Sequence, residues 1–432
     1  MSKKISIVWF KTDLRLTDNE TLLRAIAESD EIIPVYCFDP DHFNKTEFGF
    51  QKTGNFRAQF LLESVIALDQ ALRKKGSGLL VLRGRPEKEL LNVIKEYNVK
   101  KVYAKKEVAY EEIQKETDVE REIWKLNCIY TKCSTSTLYH AEDLPFSIKD
   151  IPDTFTIFKK KTEKETPIRK AFDAPEKIVS PNIPKAKFPS MKELGLQQIT
   201  IDSRRAMAFK GGEEEACKRL HTYFYETRAI DTYKQTRNGL IGADYSTKFS
   251  PWLALGCISP RSVYKELKEY ENAYSANEST SWLVFELFWR DYFRFMMKKY
   301  HNRFFMQTGI KNNSNYINKH NPDLFYAWIN GTCGVDLVDA NMIELKRTGF
   351  MSNRGRQIVA SYLCNDLKLD WRYGAAYFEQ QLIDYDVCSN WGNWAYLAGV
   401  GNDPRPDRYF NIEKQAKEYD SKSAYRNLWL HE

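Results

Sequence analysis

The segment 282–294 (WLVFELFWRDYFR) sets a carboxylate, a large ring and a guanidinium among apolar residues. On a helix Glu286, Trp289 and Arg290 share one face, because side chains three and four positions apart are neighbours on a helical surface. An acid, a ring and a cation that converge on one side of an apolar helix are suited to a ligand pocket. The alternative is a Glu286–Arg290 ion pair on a solvated face, and the pattern alone leaves both readings open.

Two later segments also gather polar side chains. In residues 349–357 (GFMSNRGRQ), Asn353, Arg356 and Gln357 again fall on one helical face. In residues 382–411, the side chains of Asp384, Asp386 and Asn390 carry oxygen atoms, which hard metal ions prefer as ligands. Only two of these side chains are charged, their spacing fits no metal-binding loop, and the histidines are dispersed, so we expect no metal site.

Residues 232–261 form a turn rich in Gly, Ser and Thr that leads into an apolar helix. Hydroxyl groups and the free N–H groups at a helix start suit an anionic pyrophosphate. A plain capping loop would have the same composition. The pattern by itself therefore does not decide between a phosphate site and a cap.

The elements that must position these residues divide the chain into parts. Short apolar runs at 5–10, 32–38, 78–82, 101–105 and 128–131 suit buried strands, and segments of helical period separate them. This alternation predicts an α/β domain over 1–140, a parallel sheet with helices on both faces. It contains no GxGxxG, so a dinucleotide-binding Rossmann site is not supported.

The rest of the chain has a different character. Prolines concentrate between Pro145 and Pro189 in a charged stretch, which predicts an extended connector over 141–204. Its run Lys159–Lys161 is interpreted as a solvated face, with phosphate contact as the alternative. From 205–432 the apolar spacing is helical, which predicts a large all-α domain.

Composition bounds the function classes. The formal net charge of +7 permits a nucleic-acid partner without requiring one. The cysteines include no CxxC pair, which favours a reduced compartment. The N-terminus lacks a signal-peptide pattern and no apolar run reaches about 18 residues, so we expect a cytoplasmic protein without a membrane span.

Several runs resemble the photolyase/cryptochrome superfamily across nearly the whole chain. They are IVWFKTDLRLTDN from Ile7, the segment 232–261, and NWGNWAYLAGVGNDPR from Asn390. Gln357 resembles the cryptochrome DASH pattern, whereas relatives that act on duplex DNA more often carry Met there. The (6-4) photolyases need a histidine in this region, and none lies between Phe350 and Gln357. The resemblance implies an antenna domain followed by a helical FAD-binding domain.

The resemblance assigns roles to individual residues. The positions that match cofactor contacts are Tyr233, Ser246, Thr247, Phe249, Ser250, Glu286, Arg290, Asn353, Arg356, Asp384, Asp386 and Asn390, with Arg356 paired to Asp384 and Asn390 near flavin N5. Those that match catalytic positions at a pyrimidine dimer are Glu286, Asn353, Trp289 and Tyr396. Those that match DNA-facing positions are Arg237, Arg354, Gln357 and Arg408.

Two accessory systems follow from the same resemblance. A 5,10-methenyltetrahydrofolate antenna is expected, with Glu107 as the carboxylate that hydrogen-bonds the pterin and Glu111 and Glu112 as rivals. Trp394 and Trp371 match the inner two members of an electron relay. The outer position falls on Asn318, a departure from the family, with Tyr316 two residues away.

The implied activity is repair of cyclobutane pyrimidine dimers, preferentially in single-stranded DNA, by electron transfer from reduced FAD under blue light. RNA and duplex DNA with a flipped lesion stay open as partners, and a monomer is expected. The alternative is a blue-light photoreceptor with a signalling output, which the absence of a long tail before Glu432 disfavours. A light-independent nucleic-acid binder would leave the matches at flavin positions without explanation.

Overall fold

A computed structural model of the chain describes residues 3–312, 320–405 and 408–431. The expected outer relay position, Asn318, and the nearby Tyr316 lie outside the described residues. No helix within those ranges is both long enough and apolar enough to cross a bilayer.

The N-terminal region is built on a five-stranded parallel sheet. Its strands are β1 (Ile5–Phe10), β2 (Glu31–Phe38), β3 (Leu80–Arg83), β4 (Lys101–Lys105) and β5 (Ile129–Cys133). Their order is β3-β2-β1-β4-β5, so β1 is central, with Val8 opposite both Pro34 and Tyr103. Strands buried on both faces read as continuous apolar runs, which is why the sequence locates them.

Helices cover both faces of this sheet, as predicted. The helices are α1 (Glu20–Glu28), α2 (Asn55–Lys74), α3 (Pro86–Tyr97) and α4 (Tyr110–Trp124). Alternate residues of a strand point to opposite faces. Val8 and Phe10 accordingly share a core with α1 and α2, whereas Ile7 and Trp9 share one with α3 and α4.

The connector is not extended throughout, and this part of the prediction is wrong. It contains α5 (Phe155–Glu165), which buries Phe155, Phe158 and Thr162 at helical spacing. Phe155 and Phe158 pack on rings of α10, and this burial stabilises a helix whose lysines and glutamates also favour helix. The helical spacing of Phe155, Phe158 and Thr162 in the sequence indicates this helix, although charged residues dominate the composition of the stretch.

The remainder is helical, as predicted. The helices are α6 (Glu213–His221), α7 (Tyr233–Thr236), α8 (Ser250–Ala254), α9 (Pro260–Ala273), α10 (Glu278–Tyr300), α11 (Pro322–Asn330), α12 (Asp336–Thr348), α13 (Asn353–Ser361), α14 (Trp371–Gln381), α15 (Val387–Leu397), α16 (Ile412–Tyr419) and α17 (Ala424–Leu430). Two π-helical turns, Thr222–Glu226 and Tyr362–Asp366, follow α6 and α13.

Buried polar contacts join the sheet region to the helices. The Arg15 guanidinium donates to the carbonyls of Gly256 (3.0 Å) and Thr135 (3.1 Å). Asp18 forms an ion pair of 2.7 Å with Arg261. A Cβ at Gly256, which has φ +66°, would lie 2.2 Å from the Thr12 carbonyl oxygen. Glycine is therefore required where the two backbones meet.

Candidate flavin and lesion site

A cleft of about 540 Å³ opens between α13, α14 and α15. Its walls combine amides, two carboxylates and a guanidinium with aromatic and aliphatic side chains. They are Asn353, Arg356, Gln357, Ala360, Phe378, Leu382, Asp384, Tyr385, Asp386, Ser389, Asn390, Asn393, Trp394 and Leu397. Concave sites that are mostly apolar with a few convergent polar groups are typical of cofactor pockets.

The helix start at Ser352 aims the predicted polar face of α13 at the cleft. The Ser352 hydroxyl accepts a hydrogen bond of 3.0 Å from the Gly355 N–H and so caps the helix. With the helix begun there, Asn353, Arg356 and Gln357 all line the cleft. The shared face inferred from spacing is therefore present.

Arg356 and Asp384 form a pair in the cleft wall. Nη2 of Arg356 lies 2.8 Å from Oδ2 of Asp384, and its Nε donates to the Met351 carbonyl at 2.9 Å. The second carboxylate oxygen, Oδ1, is buried and has no hydrogen-bond partner among the described residues. A buried acceptor without a donor is costly, so this oxygen suits an N–H or O–H group of a ligand.

Asp386 and Asn390 occupy the start of α15. Oδ1 of Asp386 accepts a 2.8 Å hydrogen bond from the Ser389 N–H and caps the helix. Burial would raise the pKa of this carboxyl, but the charges of Arg290 and Arg294 outweigh it and hold the pKa below its usual range. The Asn390 amide donates to the Ala375 carbonyl at 3.0 Å, which fixes its orientation. No group of three metal-ligating side chains is found in the described ranges.

The loop that precedes α8, residues 244–249, is fixed by hydrogen bonds from Arg219, a residue that the sequence did not indicate. The Arg219 guanidinium donates to the carbonyls of Thr247 (2.9 Å) and Ser246 (3.1 Å) and pairs with Asp244. Lys248 stands in the left-handed region at φ 55°. These contacts give the loop a defined shape.

Several side chains of this loop are buried. Lys248 is 3% exposed, its Nζ lies 3.2 Å from the Tyr245 ring centroid, and burial holds its pKa well below the usual range. Among the predicted cofactor positions, Tyr233 and Phe249 are buried and Thr247 nearly so, whereas Ser250 is exposed and opens α8. Lys248 is a cation beside the predicted phosphate loop that the resemblance did not assign.

Glu286 is engaged by two side chains other than Arg290. Its Oε1 accepts hydrogen bonds from Nη1 of Arg237 (2.7 Å) and from Nε1 of Trp282 (3.0 Å). Burial raises the pKa of the Glu286 carboxyl, and the Arg237 charge offsets part of that rise. Arg290 donates instead to the carbonyls of Ser136 and Leu253, so the intrahelical pair on a solvated face does not form.

Trp289 lies beside this carboxyl within a cluster of rings. Its ring stacks on Phe155 of α5, with centroids 3.7 Å apart and planes at 11°. Tyr396 of α15 meets it edge to face, at 5.8 Å and 82°. Arg408 fixes the Tyr396 ring, because its Nη2 donates to the phenol oxygen at 2.7 Å while its Nε bonds Asp403.

The predicted DNA-facing cations already have protein partners. Arg237 pairs with Glu286, and Arg408 with Asp403 and Tyr396. Arg354 donates to Asn238 at 3.1 Å and lies 4.6 Å from the Tyr419 ring. Gln357 lines the cleft. The structure places these residues in the site region with protein partners that spacing along the chain could not reveal, and their contact with DNA stays a prediction.

The predicted antenna carboxylate lies in a buried charge cluster. Glu107 contacts Lys105 (3.0 Å), Arg294 (3.1 Å) and Lys11 (3.7 Å), and these cations overcome burial and hold its pKa below the usual range. Oε2 of Glu112 is buried without a partner in the described chain, and burial with the Glu107 charge raises its pKa to about 8. Of Glu107 and Glu112, it is Glu112 that has a carboxyl oxygen without a hydrogen-bond partner among the described residues. The other rival, Glu111, is largely exposed and pairs with Lys52.

A second cleft of about 350 Å³ lies between the sheet region and α10. Three cations and a run of hydroxyl side chains line it, and Thr135 Oγ1 is buried there without a partner among the described residues. The lining residues are Lys106, Val108, Ser134, Thr135, Ser136, Thr137, Ala141, Arg294, Phe295 and Lys298. Arg294 links this cleft to Glu107.

The two expected relay tryptophans have different ring neighbours in the described ranges. Trp394 lines the flavin cleft and packs on Phe378 and Trp328, at centroid distances of 5.1 and 6.2 Å. Trp371 packs on Trp391 at 5.7 Å. Both rings are buried.

Comparisons with known proteins agree with this architecture. The family model described as DNA photolyase matches residues 6–176, and that of the FAD binding domain of DNA photolyase matches residues 282–432. A cryptochrome DASH of Synechocystis sp. is 49% identical over 428 residues, 99% of this chain and 87% of that protein. One from Xenopus laevis is 48% identical over 434 residues, 99% of this chain and 83% of that protein.

Solved structures are similar over the whole chain. A crystal structure of a Synechocystis cryptochrome has a TM-score of 0.96 at 49% identity, covering 100% of this chain and 89% of that one. A bacterial class III photolyase from Agrobacterium tumefaciens has a TM-score of 0.85 at 26% identity, covering 100% and 87%. Fold and cleft thus define a flavoprotein of the photolyase/cryptochrome class. Within that class, the chain belongs to the cryptochrome DASH family.

Proposed function

We propose that this protein is a blue-light-dependent lyase that splits cyclobutane pyrimidine dimers, preferentially in single-stranded DNA. The observation that carries the proposal is the arrangement at Glu286. The part-buried carboxyl of Glu286, whose pKa burial raises, stands one helical turn before Trp289 on α10, and Trp289 meets Tyr396 edge to face. These side chains stand on α10 and α15, and α15 also forms a wall of the flavin cleft.

The cleft fits a flavin. FAD, when bound and reduced, supplies blue-light absorption and the transferable electron. The unpartnered Oδ1 of Asp384 would accept from a ring N–H, and the paired Arg356 would hold that carboxylate in place. Asp386 and Asn390 would complete the polar wall, with Lys248 and the Ser246–Ser250 loop toward the phosphates.

Glu286, Trp289 and Tyr396 would act on the lesion. Once protonated, the Glu286 carboxyl would donate a hydrogen bond to a pyrimidine carbonyl and stabilise negative charge that develops there. Stacking of a base on an aromatic side chain contributes about 1–3 kcal/mol. The lesion must leave its stack first, which costs least in a single strand. This cost difference is the physical basis for the single-strand preference.

We further propose that the second cleft holds the folate antenna, with Glu112 or Glu107 as the pterin carboxylate, and that Trp394 and Trp371 serve photoreduction. The support is the lining by Lys106, Arg294 and Lys298, because a folate carries carboxylates that cations attract. The unpartnered oxygen of Glu112 makes it the stronger candidate of the two carboxylates.

The test is repair of a defined thymine dimer in matched single- and double-stranded oligonucleotides, using chemically reduced protein with and without blue light. We expect light-dependent repair of the single strand and little of the duplex. Glu286→Gln should lower the yield, whereas Glu278→Gln, on the exposed side of the same helix, should not. No repair of either substrate with reduced flavin bound would reject the lyase and favour the photoreceptor.

A further inference from the structure

The solvent side of the helix α5 is rich in lysine. Phe155, Phe158 and Thr162 form its buried side. The opposite side presents Lys160, Lys161 and Lys164 to solvent. We call these three residues the α5 lysine face.

The buried side of α5 is anchored at the proposed lesion site. Phe155 stacks directly on Trp289 at 3.7 Å. One helical turn later, Nζ of Lys159 lies 5.8 Å from the Phe285 ring on α10. The α5 lysine face therefore lies on the solvent side of the helix whose first residue packs on the ring proposed to stack on the lesion, and it begins five residues further along the chain.

The charges of the α5 lysine face are not neutralised by the protein. Lys159 forms an ion pair of 2.6 Å with Glu163. In residues 3–312, 320–405 and 408–431, no ion pair involves Lys160, Lys161 or Lys164. Like charges without counter-charges on one helix face repel each other, and a polyanion relieves that repulsion.

The length of α5 suits a strand that leaves the lesion site. At about 1.5 Å per residue, Lys160 to Lys164 spans roughly 6 Å. A nucleic-acid strand advances about 3.4 Å per nucleotide when stacked, so the α5 lysine face can follow about two nucleotide steps. The only carboxylates on α5 are Glu163, already paired, and the exposed Glu165.

We propose that the α5 lysine face binds the phosphate backbone of the single DNA strand that flanks the lesion. This inference rests on the proposed function for the position of the lesion. Lys160 and Lys161 belong to the run Lys159–Lys161 that was interpreted from sequence as a solvated face, and they become part of a docking surface because α5 packs on Trp289 through Phe155. It would extend binding beyond the pocket without reading sequence, since phosphate contacts carry no sequence information.

The experiment compares Lys160→Ala/Lys161→Ala/Lys164→Ala with the control Lys88→Ala/Lys95→Ala/Lys192→Ala, which removes three exposed lysines elsewhere. Affinity is measured against salt for three ligands: a long single strand with one thymine dimer, the same strand undamaged, and the isolated dimer dinucleotide. Each lost phosphate contact lowers the slope of log K against log salt by about 0.7 for single strands, so the triple variant should lose about 2.

We expect the α5 variant to bind both long strands roughly tenfold more weakly at moderate salt and to bind the dinucleotide as the unchanged protein does. The control should match the unchanged protein on all three ligands. An unchanged salt slope on the long strands would overturn the proposal, and so would an equal loss on the dinucleotide. If no ligand with a dimer is preferred, the proposed function fails, and the undamaged strand still tests the α5 lysine face.

Discussion

Nη1 of Arg237 lies 2.7 Å from Oε1 of Glu286, at a carboxyl whose pKa burial raises. Two opposed effects therefore meet at one group. Burial favours the neutral carboxyl, which can donate a hydrogen bond, and Arg237 favours the carboxylate, which cannot. The position of Arg237 sets the pH at which the group changes its role.

The pH dependence of lesion binding follows from this pair. Affinity for a thymine dimer should fall as pH rises through the pKa of Glu286, by at most about tenfold per pH unit, because the donor is lost. Arg237→Met removes the charge that lowers this pKa, so the pKa rises and the fall moves to higher pH. Binding isotherms across pH measure this. Glu286→Gln should abolish the dependence, and a profile unmoved in Arg237→Met would contradict the assignment.

Flavin retention should depend on Asp384. Asp384→Asn leaves Arg356 without its carboxylate and removes the acceptor proposed for the ring, so the purified protein should lose most of its flavin absorbance. The unfolding free energy should fall by about 1–3 kcal/mol, because Arg356 keeps part of its exposure to water.

Asp370→Asn is the matched control, since Asp370 forms a similar 2.8 Å pair with Arg372 away from the cleft. It should cost comparable stability and retain flavin. Equal flavin loss in both variants would show that retention follows stability and not the cleft carboxylate.

The stack of Phe155 on Trp289 should matter for lesion affinity. Phe155→Leu keeps an apolar side chain but removes the parallel ring, which contributes about 0.5–1.5 kcal/mol beyond burial. Affinity for the dimer dinucleotide should fall about threefold to tenfold. Phe146→Leu serves as control, because Phe146 packs on Phe158 in the same connector and does not reach Trp289. If the loss of dinucleotide affinity is proportional to the loss of stability in both variants, Phe155 does not position Trp289 for binding.

Tyr396 and Arg408 should behave as one unit. Tyr396→Phe and Arg408→Met each break the 2.7 Å hydrogen bond, so the double variant should lose less lesion affinity than the sum of the single losses. A coupling free energy of about 0.5–3 kcal/mol is expected for residues in direct contact. Titration of the dimer dinucleotide into the unchanged protein, the two single variants and the double variant measures this coupling. Strictly additive losses would show that the hydrogen bond between Arg408 and Tyr396 has no role in binding.

Some of this arrangement was readable from the sequence because it depends on local period. The strands follow from buried apolar runs, and the shared face of Asn353, Arg356 and Gln357 follows from helical spacing. These features need only the geometry of one element. The resemblance added the Arg356–Asp384 pair, which the structure contains.

Other features depend on contacts between distant segments. Arg237 reaches Glu286 across 49 residues, and Phe155 reaches Trp289 from a charged connector. Composition predicted an extended connector over 141–204 because prolines concentrate there among charged residues, and the helix α5 falls between those prolines. No pattern within one segment indicates which guanidinium meets which carboxyl, so the sequence assigned Arg237 to DNA and left Phe155 unmentioned.

The buried core runs without interruption from β1 to α17, joining Val8 to Trp429 through Leu14, Leu255 and Trp328. The predicted boundaries near residues 140 and 205 are thus changes of architecture and not breaks in packing. Calorimetry should accordingly record one cooperative melting transition for the whole chain. A fragment ending near residue 140 would expose the side of α2 on which Phe60 packs against Trp252, and we expect it to aggregate when expressed alone.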